Sequence, residues 1–308
     1  MLDHSDPLAH PHPQAPRWRS LGSVAAAPYA VLAIVAVAVV SWHMHTYPYV
    51  SPVDEYSHYD FIQRAPHIPA IGERLQQDTL DEMACRTFGP GRPEGTGPCG
   101  VRPYDPNVVP GAGFSTAGST PPLYYFATAS VARPLAAVSP WSVWEISRGL
   151  GSMWLLALMS ICYTLAVRIG ATRVAALGTT LFVCTTSDVV TSAATIGPDV
   201  ATAATGGLVL LAALQLDTSA RRGLLLIAAT AAATLTKFTA FTAVGAAMIY
   251  VVVLAIAFRA TPGRPGLRRS GLVAAGAFAT FASLSFLWGL VFRDNACLLY
   301  TSPSPRDS

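Results

Sequence analysis

The chain has 308 residues, of which 52% are hydrophobic and 12% charged, with a net charge of +3 and a mean hydropathy of +0.43. Long apolar runs at this composition exclude an ordinary soluble domain. The small positive charge is scattered over many loops and forms no basic patch, so no nucleic-acid partner is expected.

Residues 1–23 are polar, with His4, His10 and His12 among prolines, and read as a disordered cytoplasmic tail. Arg17 and Arg19 precede an apolar run at about 24–42 that is long enough to span a bilayer. SWHMHTYPYV follows it without a small-residue cleavage pattern, so the run reads as an uncleaved anchor rather than a signal peptide. The preceding arginines place the N-terminus in the cytoplasm.

An outer loop at 43–145 comes next, and it opens on SPVDEYSHYDF, residues 51–61. Asp54, Glu55, His58 and Asp60 fall within seven residues of a chain poor in charge. Such a cluster at a membrane exit is costly unless it meets water, a metal or a substrate. Ser51 is expected to cap a helix, Pro52 to be its first residue and Asp54 to fall at the capping-box position. On that helix Asp54, Glu55 and His58 share a face. Simple capping by Asp54, with the other groups solvated, is the alternative. Gly- and Pro-rich stretches then read as turns, and Cys85 and Cys99 bracket one of them. In an oxidising compartment these two cysteines are expected to pair. Cys162 and Cys184 lie in apolar segments and are expected to be inert, and no zinc-ligand spacing occurs.

Thr120 and Pro121 are expected to cap and open a helix carrying Tyr124 and Tyr125. Arg133 and Pro134 interrupt residues 126–138, which makes this an interfacial helix, with Trp141 and Trp144 at headgroup depth. Six spans follow, at about 146–167, 174–190, 200–216, 223–236, 240–258 and 271–292. Arg168, Arg173, Arg221, Arg222, Arg259, Arg264, Arg268 and Arg269 fall in alternate loops, which places those loops inside. The fold class is therefore an all-α polytopic membrane protein of about seven transmembrane helices, with interfacial helices in a long outer loop.

Residues 297–308, CLLYTSPSPRDS, resemble the in-frame translation of a sequencing-library adapter and are set aside from fold reasoning. On that expectation residues 293–308 end a fragment of a longer chain, and the membrane domain is 24–292.

Three further outer features accompany the acidic cluster. Asp199 follows Gly197-Pro198 at a helix start, Lys237 sits between two apolar runs, and the Pro-Pro-Leu-Tyr-Tyr stretch ends at Tyr125. Each has a bland reading: dipole complement, snorkelling lysine, interfacial anchor. Together, a carboxylate cluster and a membrane-embedded cation suit a reaction between a hydroxyl and a phosphorylated lipid.

At these residues the chain resembles the GT-C glycosyltransferases, over about residues 24–292. The motifs are Asp54-Glu55-x-x-His58, Pro121-Pro122-Leu123-Tyr124-Tyr125, Pro198-Asp199 and Thr236-Lys237. The likeness is to the protein mannosyltransferase and aminoarabinose transferase branch, and to bacterial membrane proteins sharing its layout. It implies an inner- or plasma-membrane enzyme that takes a sugar from a polyprenyl-phosphate donor to an acceptor lipid, glycan or protein. On the resemblance Asp54 and Glu55 are catalytic, with Asp54 as the general base. His58, Tyr124, Asp199 and Lys237 are expected to contact substrate, with Lys237 facing the donor phosphate. Where a divalent metal is used, Asp54, Glu55 and His58 are the expected ligands. The usual family has more spans than the seven found here. A transporter or flippase and a non-catalytic envelope-assembly subunit are the competing expectations. Charge-free span centres with polar groups at one face favour the enzyme over the transporter.

Overall fold

The computed structural model describes residues 26–70, 72–86, 97–257 and 266–296, with side chains as far as residue 291. Residues 1–23, most of the Gly/Pro-rich stretch between Cys85 and Cys99, Arg259, Arg264 and the 297–308 tail lie outside the described residues. Among the described residues the secondary structure is helical, with an isolated antiparallel bridge between Arg74 and Phe114.

Helix α1 is Ala27–Thr46, and it runs four residues past the expected end at Trp42. Helices α2 (Glu55–Arg64), α3 (Gln77–Arg86) and α4 (Leu123–Val138) belong to the long loop. The bundle continues with α5 (Val143–Arg168), α6 (Arg173–Cys184), α7 (Ser187–Ala194) and α8 (Asp199–Leu214). Helices α9 (Ala220–Thr236), α10 (Phe241–Ala257) and α11 (Leu267–Ala296) complete it.

Among the described residues four segments are long and apolar enough to cross a membrane: Ala27–Thr46, Val143–Arg168, Phe238–Ala257 and Leu267–Val291. Helices α6 and α7 pass the same test only as a pair, bent by 68°. The sequence reading ran one straight span through this break. Thr185 and Thr186 interrupt it: the Thr185 hydroxyl donates to the Leu181 carbonyl at 2.7 Å, and Thr186 takes an extended conformation that starts α7. Threonine hydroxyls that bond back to their own helix in this way favour bends. Helices α8 and α9, of 16 and 17 residues, are shorter than a hydrocarbon core at 1.5 Å per residue.

Helix α5 is the centre of the bundle. It packs against α1, α4, α6, α7 and α8, and α8 in turn packs against α9 and α10. One apolar core joins α1 to α5 through Leu32, Ala36, Leu155 and Met159. A second joins α8, α9 and α10 through Val209, Leu226 and Val244. Gly151 permits the contact between α5 and α7. A methyl group there would lie 1.6 Å from the Ala193 carbonyl oxygen, so no larger residue fits without moving a helix.

The loop has a core of its own. Tyr59, Phe61, Leu80, Met83, Tyr125, Trp144 and Ile196 are buried together, and Cys85 is bonded to Cys99 at its edge. Helix α4 runs unbroken through Arg133-Pro134 to Val138 and, as expected, is not a membrane-length segment. Arg133 caps α2, donating to the carbonyls of Ile62 (2.9 Å), Gln63 and Ala65. The start of α4 differs from expectation: it begins at Leu123 with Pro122 as its cap residue, while Thr120 ends the preceding turn. The Trp288 indole of α11 donates to the Ser119 carbonyl at 3.1 Å, so α11 ends against the same loop.

The helix ends therefore sort onto two faces, one carrying the loop and the other carrying Arg168, Arg173, Arg221, Arg222, Arg268 and Arg269. Ser119 and Ser219 are exposed on opposite faces. Single Ser119→Cys and Ser219→Cys proteins in sealed vesicles should react with a membrane-impermeant thiol reagent from opposite sides. Labelling of both from one side would overturn this arrangement.

Candidate functional site

The site is built around Glu55, which is fully buried. Its Oε1 accepts from Arg148 Nε at 2.7 Å and from the Ile196 amide at 2.9 Å. Its Oε2 accepts from Arg148 Nη2 at 2.6 Å and from the Ser51 amide at 2.7 Å. Arg148, on α5 and 3% exposed, also donates to the carbonyls of Tyr47 and Tyr49, and its guanidinium lies over the Trp144 ring. One carboxylate thus joins the end of α1, the start of α2, α5 and the turn before α8. With both oxygens doubly engaged, Glu55 is a structural group. The sequence reading made it catalytic, and the geometry gives it no free lone pair to offer.

The same contacts explain why the helix does not begin at Ser51. Glu55 turns inward and draws the Ser51 amide to itself, so 51–54 closes as a loop and α2 starts at Glu55. Asp54 becomes the cap residue, but its side chain caps nothing, and its backbone is left-handed at φ 53°. Asp tolerates this region better than most side chains, and such positions cluster where function holds them. The Asp54 carboxylate is exposed and, among the described residues, forms no hydrogen bond or ion pair.

His58 lies one turn on. Its Nδ1 is hydrogen-bonded to the Tyr125 hydroxyl at 2.7 Å. A methyl group built on Gly197 would lie 4.0 Å from both His58 Nε2 and Asp199 Oδ2, so the histidine and this second carboxylate share one patch. Asp199 opens α8 as expected, and its Oδ1 is paired with Lys237 Nζ at 2.5 Å. Lys237 sits in extended backbone between α9 and α10, with its ammonium half-buried. Tyr124 is not on the patch surface. It is buried, its hydroxyl accepts from the Gly197 amide at 3.1 Å, and it supports the Gly197–Asp199 turn from behind. Burial pushes its phenol pKa up.

Asp54, His58, Asp199 and Lys237 come together from three parts of the chain, and Glu55 and Tyr124 hold the parts in place. Asp54, Glu55 and His58 do not form a metal-ligand set, because Glu55 is consumed by Arg148. Among the described residues the three-ligand grouping with donor atoms within 4.8 Å is Asp81, Cys85 and Cys99, whose sulfurs are spent in the disulfide. Two supporting features escaped the sequence reading. Arg148 was absorbed into an apolar run, although an ionisable residue there calls for a buried partner. Ser142-x-x-Glu145 is a capping-box signature, and both of its bonds form at the start of α5.

Burial drives the His58 pKa down from 6.5 to about 4; the charges of Asp199 and Asp54 pull it up, and Lys237 adds to the lowering. His58 is therefore a neutral hydrogen-bonding group near neutral pH. Its depressed folded-state pKa means that the unfolded chain takes up the proton first as pH falls. The contribution of His58 to stability is complete above about 6.5 and is lost as pH drops towards about 4. The unfolding midpoint in detergent should fall across this window, and His58→Gln should flatten the fall. An unchanged pH profile in the variant would show that His58 does not carry the effect.

Glu55→Gln should leave the Arg148 charge buried without its partner. Breaking a buried pair in this way costs about 3–5 kcal/mol. Chemical unfolding of the variant should show that loss, and a midpoint equal to the native protein's would refute the structural role.

No protein-family model, curated protein or solved structure matches the chain. Fold and site together define a multi-pass α-helical membrane protein with a polar patch of carboxylates, an imidazole and an ammonium at one face of its bundle.

Proposed function

We propose that the protein is a GT-C-like glycosyltransferase, transferring a sugar from a polyprenyl-phosphate donor to an acceptor hydroxyl at the outer face of the cell membrane. The observation that carries this reading is the meeting of an unpaired carboxylate, Asp54, with the Asp199–Lys237 pair and His58 at one bundle face. In this reading α1, α5, the α6–α7 pair and α8 to α11 make seven crossings, with the N-terminus cytoplasmic by the arginine distribution.

The chemistry divides among the residues by charge. Asp54 takes the proton of the acceptor hydroxyl as its oxygen bonds to the anomeric carbon. The bond from that carbon to the phosphate oxygen breaks, and its electron pair leaves with the phosphate. Lys237 stabilises the departing negative charge, and Asp199 holds the ammonium in position until the donor arrives. His58, neutral and anchored by Tyr125, offers Nε2 to a sugar hydroxyl or phosphate oxygen.

The bend between α6 and α7 favours a second reading, because broken helices line transport paths. Against it, the polar groups lie at one face and not along the bundle.

Asp54→Asn retains the left-handed backbone, which Asn tolerates, and removes the base. Turnover of a polyprenyl-phosphate sugar should fall about 10²–10⁴-fold, with folding and membrane abundance unchanged. Lys237→Met should raise the KM for the lipid donor more than that for the acceptor. Full activity of Asp54→Asn at normal abundance would remove the catalytic assignment. Transport of labelled substrate by this variant would favour the second reading.

A further inference from the structure

A cavity of about 510 Å³ lies apart from the Asp54 patch, and none of Asp54, His58, Asp199 and Lys237 lines it. It opens where α1 ends, between the 47–52 linker and the broken α6–α7 helix. Ser51 and Pro52 line it, and the chain runs from them directly into Asp54.

Three kinds of group make up the wall. Trp42, Tyr47 and Tyr49 provide aromatic rings, and Trp42 is 62% exposed at the end of a membrane-length helix. Ser187 and Thr191 provide hydroxyls that form no hydrogen bond among the described residues. The third kind is buried. His43 is 8% exposed, and its Nδ1 has no hydrogen-bond partner among the described residues. Arg148 has five N–H donors, and four bonds are formed, to Glu55 twice and to Tyr47 and Tyr49. One guanidinium N–H is therefore unspent.

The charge of the wall selects the ligand. Its one permanent cation, Arg148, is neutralised by Glu55, so the cavity has no net attraction for an anion. No carboxylate lines it, so it has none for a cation. What remains is aromatic faces, hydroxyls, one buried imidazole nitrogen without a partner among the described residues and one spare guanidinium N–H. That combination suits an uncharged ring carrying hydroxyls, stacked on an aromatic and hydrogen-bonded at its edge. The mouth lies beside the end of the membrane-length helix α1, the kind of position where Trp and Tyr commonly meet lipid headgroups. We propose that this cavity binds the uncharged glycosyl or polyol headgroup of a membrane amphiphile. Its further assignment as the acceptor, with a hydroxyl delivered towards Asp54, rests on the glycosyltransferase reading. The binding itself does not.

Thr191 is exposed on the cavity wall, so Thr191→Cys makes a reporter that leaves the fold intact. In native membrane vesicles the rate of its modification by an impermeant thiol reagent is read at position 191 by peptide mapping. Octyl glucoside or octyl galactoside, held below its micellar concentration, is the probe, with 1-octanol and methyl glucoside as controls. At about ten times its Kd a probe leaves about a tenth of the sites open, so labelling should slow about tenfold. His43→Phe keeps the ring but removes its nitrogens, and it should abolish the protection. Protection by the alkyl glycosides, lost in His43→Phe and absent with 1-octanol, supports the site. Equal protection by 1-octanol would reduce the cavity to an apolar groove. Equal protection by methyl glucoside would make the ligand a free sugar. No protection by either alkyl glycoside would overturn the proposal. In Asp54→Asn the protection should persist even though transfer is lost, so failure of the catalytic reading and failure of this one are distinguishable.

Discussion

Glu55 and Arg148 form an ion pair with almost no access to water, 93 residues apart in the chain. Taking both charges out of solvent is expensive, and their attraction repays it only when every remaining lone pair and proton finds a partner. Here the carboxylate accepts four hydrogen bonds and the guanidinium donates four. Those bonds reach the linker after α1, the start of α2, α5 and the turn before α8. A hydrophobic pair of the same volume would fill the space, but it would leave the amides of Ser51 and Ile196 and the carbonyls of Tyr47 and Tyr49 without partners. The pair therefore fixes where these segments stand relative to one another more than it adds to net stability.

That constraint separates two adjacent acidic residues into different tasks. Glu55 is turned inward, and the chain can satisfy it only by closing 51–54 as a loop that ends in a left-handed residue. Asp54 is that residue, so its carboxylate is thrown outward, next to the His58 turn. The Ile196 amide, held by the same Glu55, sets the turn that presents Gly197 and Asp199. Tyr124 fixes the turn from the other side through the Gly197 amide. Both halves of the patch thus hang from the buried pair, and Lys237 is added from the α9–α10 junction through its bond to Asp199.

Much of the helical framework is legible in the apolar runs, because a helix longer than a bilayer is thick has few other uses. The bend at Thr185–Thr186 is not, since two threonines inside an apolar stretch look like any other residues until their hydroxyls are seen to bond backwards. Arg133 and Pro134 are legible only in part: α4 is no membrane-length segment, yet it passes through them unbroken. Read as an interruption, the arginine is a cap for a helix about 70 residues earlier in the chain, a partner that no local pattern reveals. The same limit hid the Arg148 pairing and the Asp199–Lys237 pair, whose members are 93 and 38 residues apart. Composition and spacing pick out Asp54, Glu55, His58, Asp199 and Lys237 as unusual. Only the fold tells the buried carboxylate from the open one.

Arg133 also ties two helices of the loop together. Its helix, α4, turns Val131, Leu135 and Val138 outward, where they are 39%, 45% and 82% exposed. Residues of that kind on a surface helix set how deeply it sinks among the lipids. Through the Arg133 guanidinium α4 is fastened to the last carbonyls of α2, the helix that begins beside Asp54 and carries His58. α4 and α2 are thus joined at one point, while the Glu55–Arg148 pair joins the other end of α2 to α5, so the helix that carries His58 is held at both ends by an arginine from a different helix.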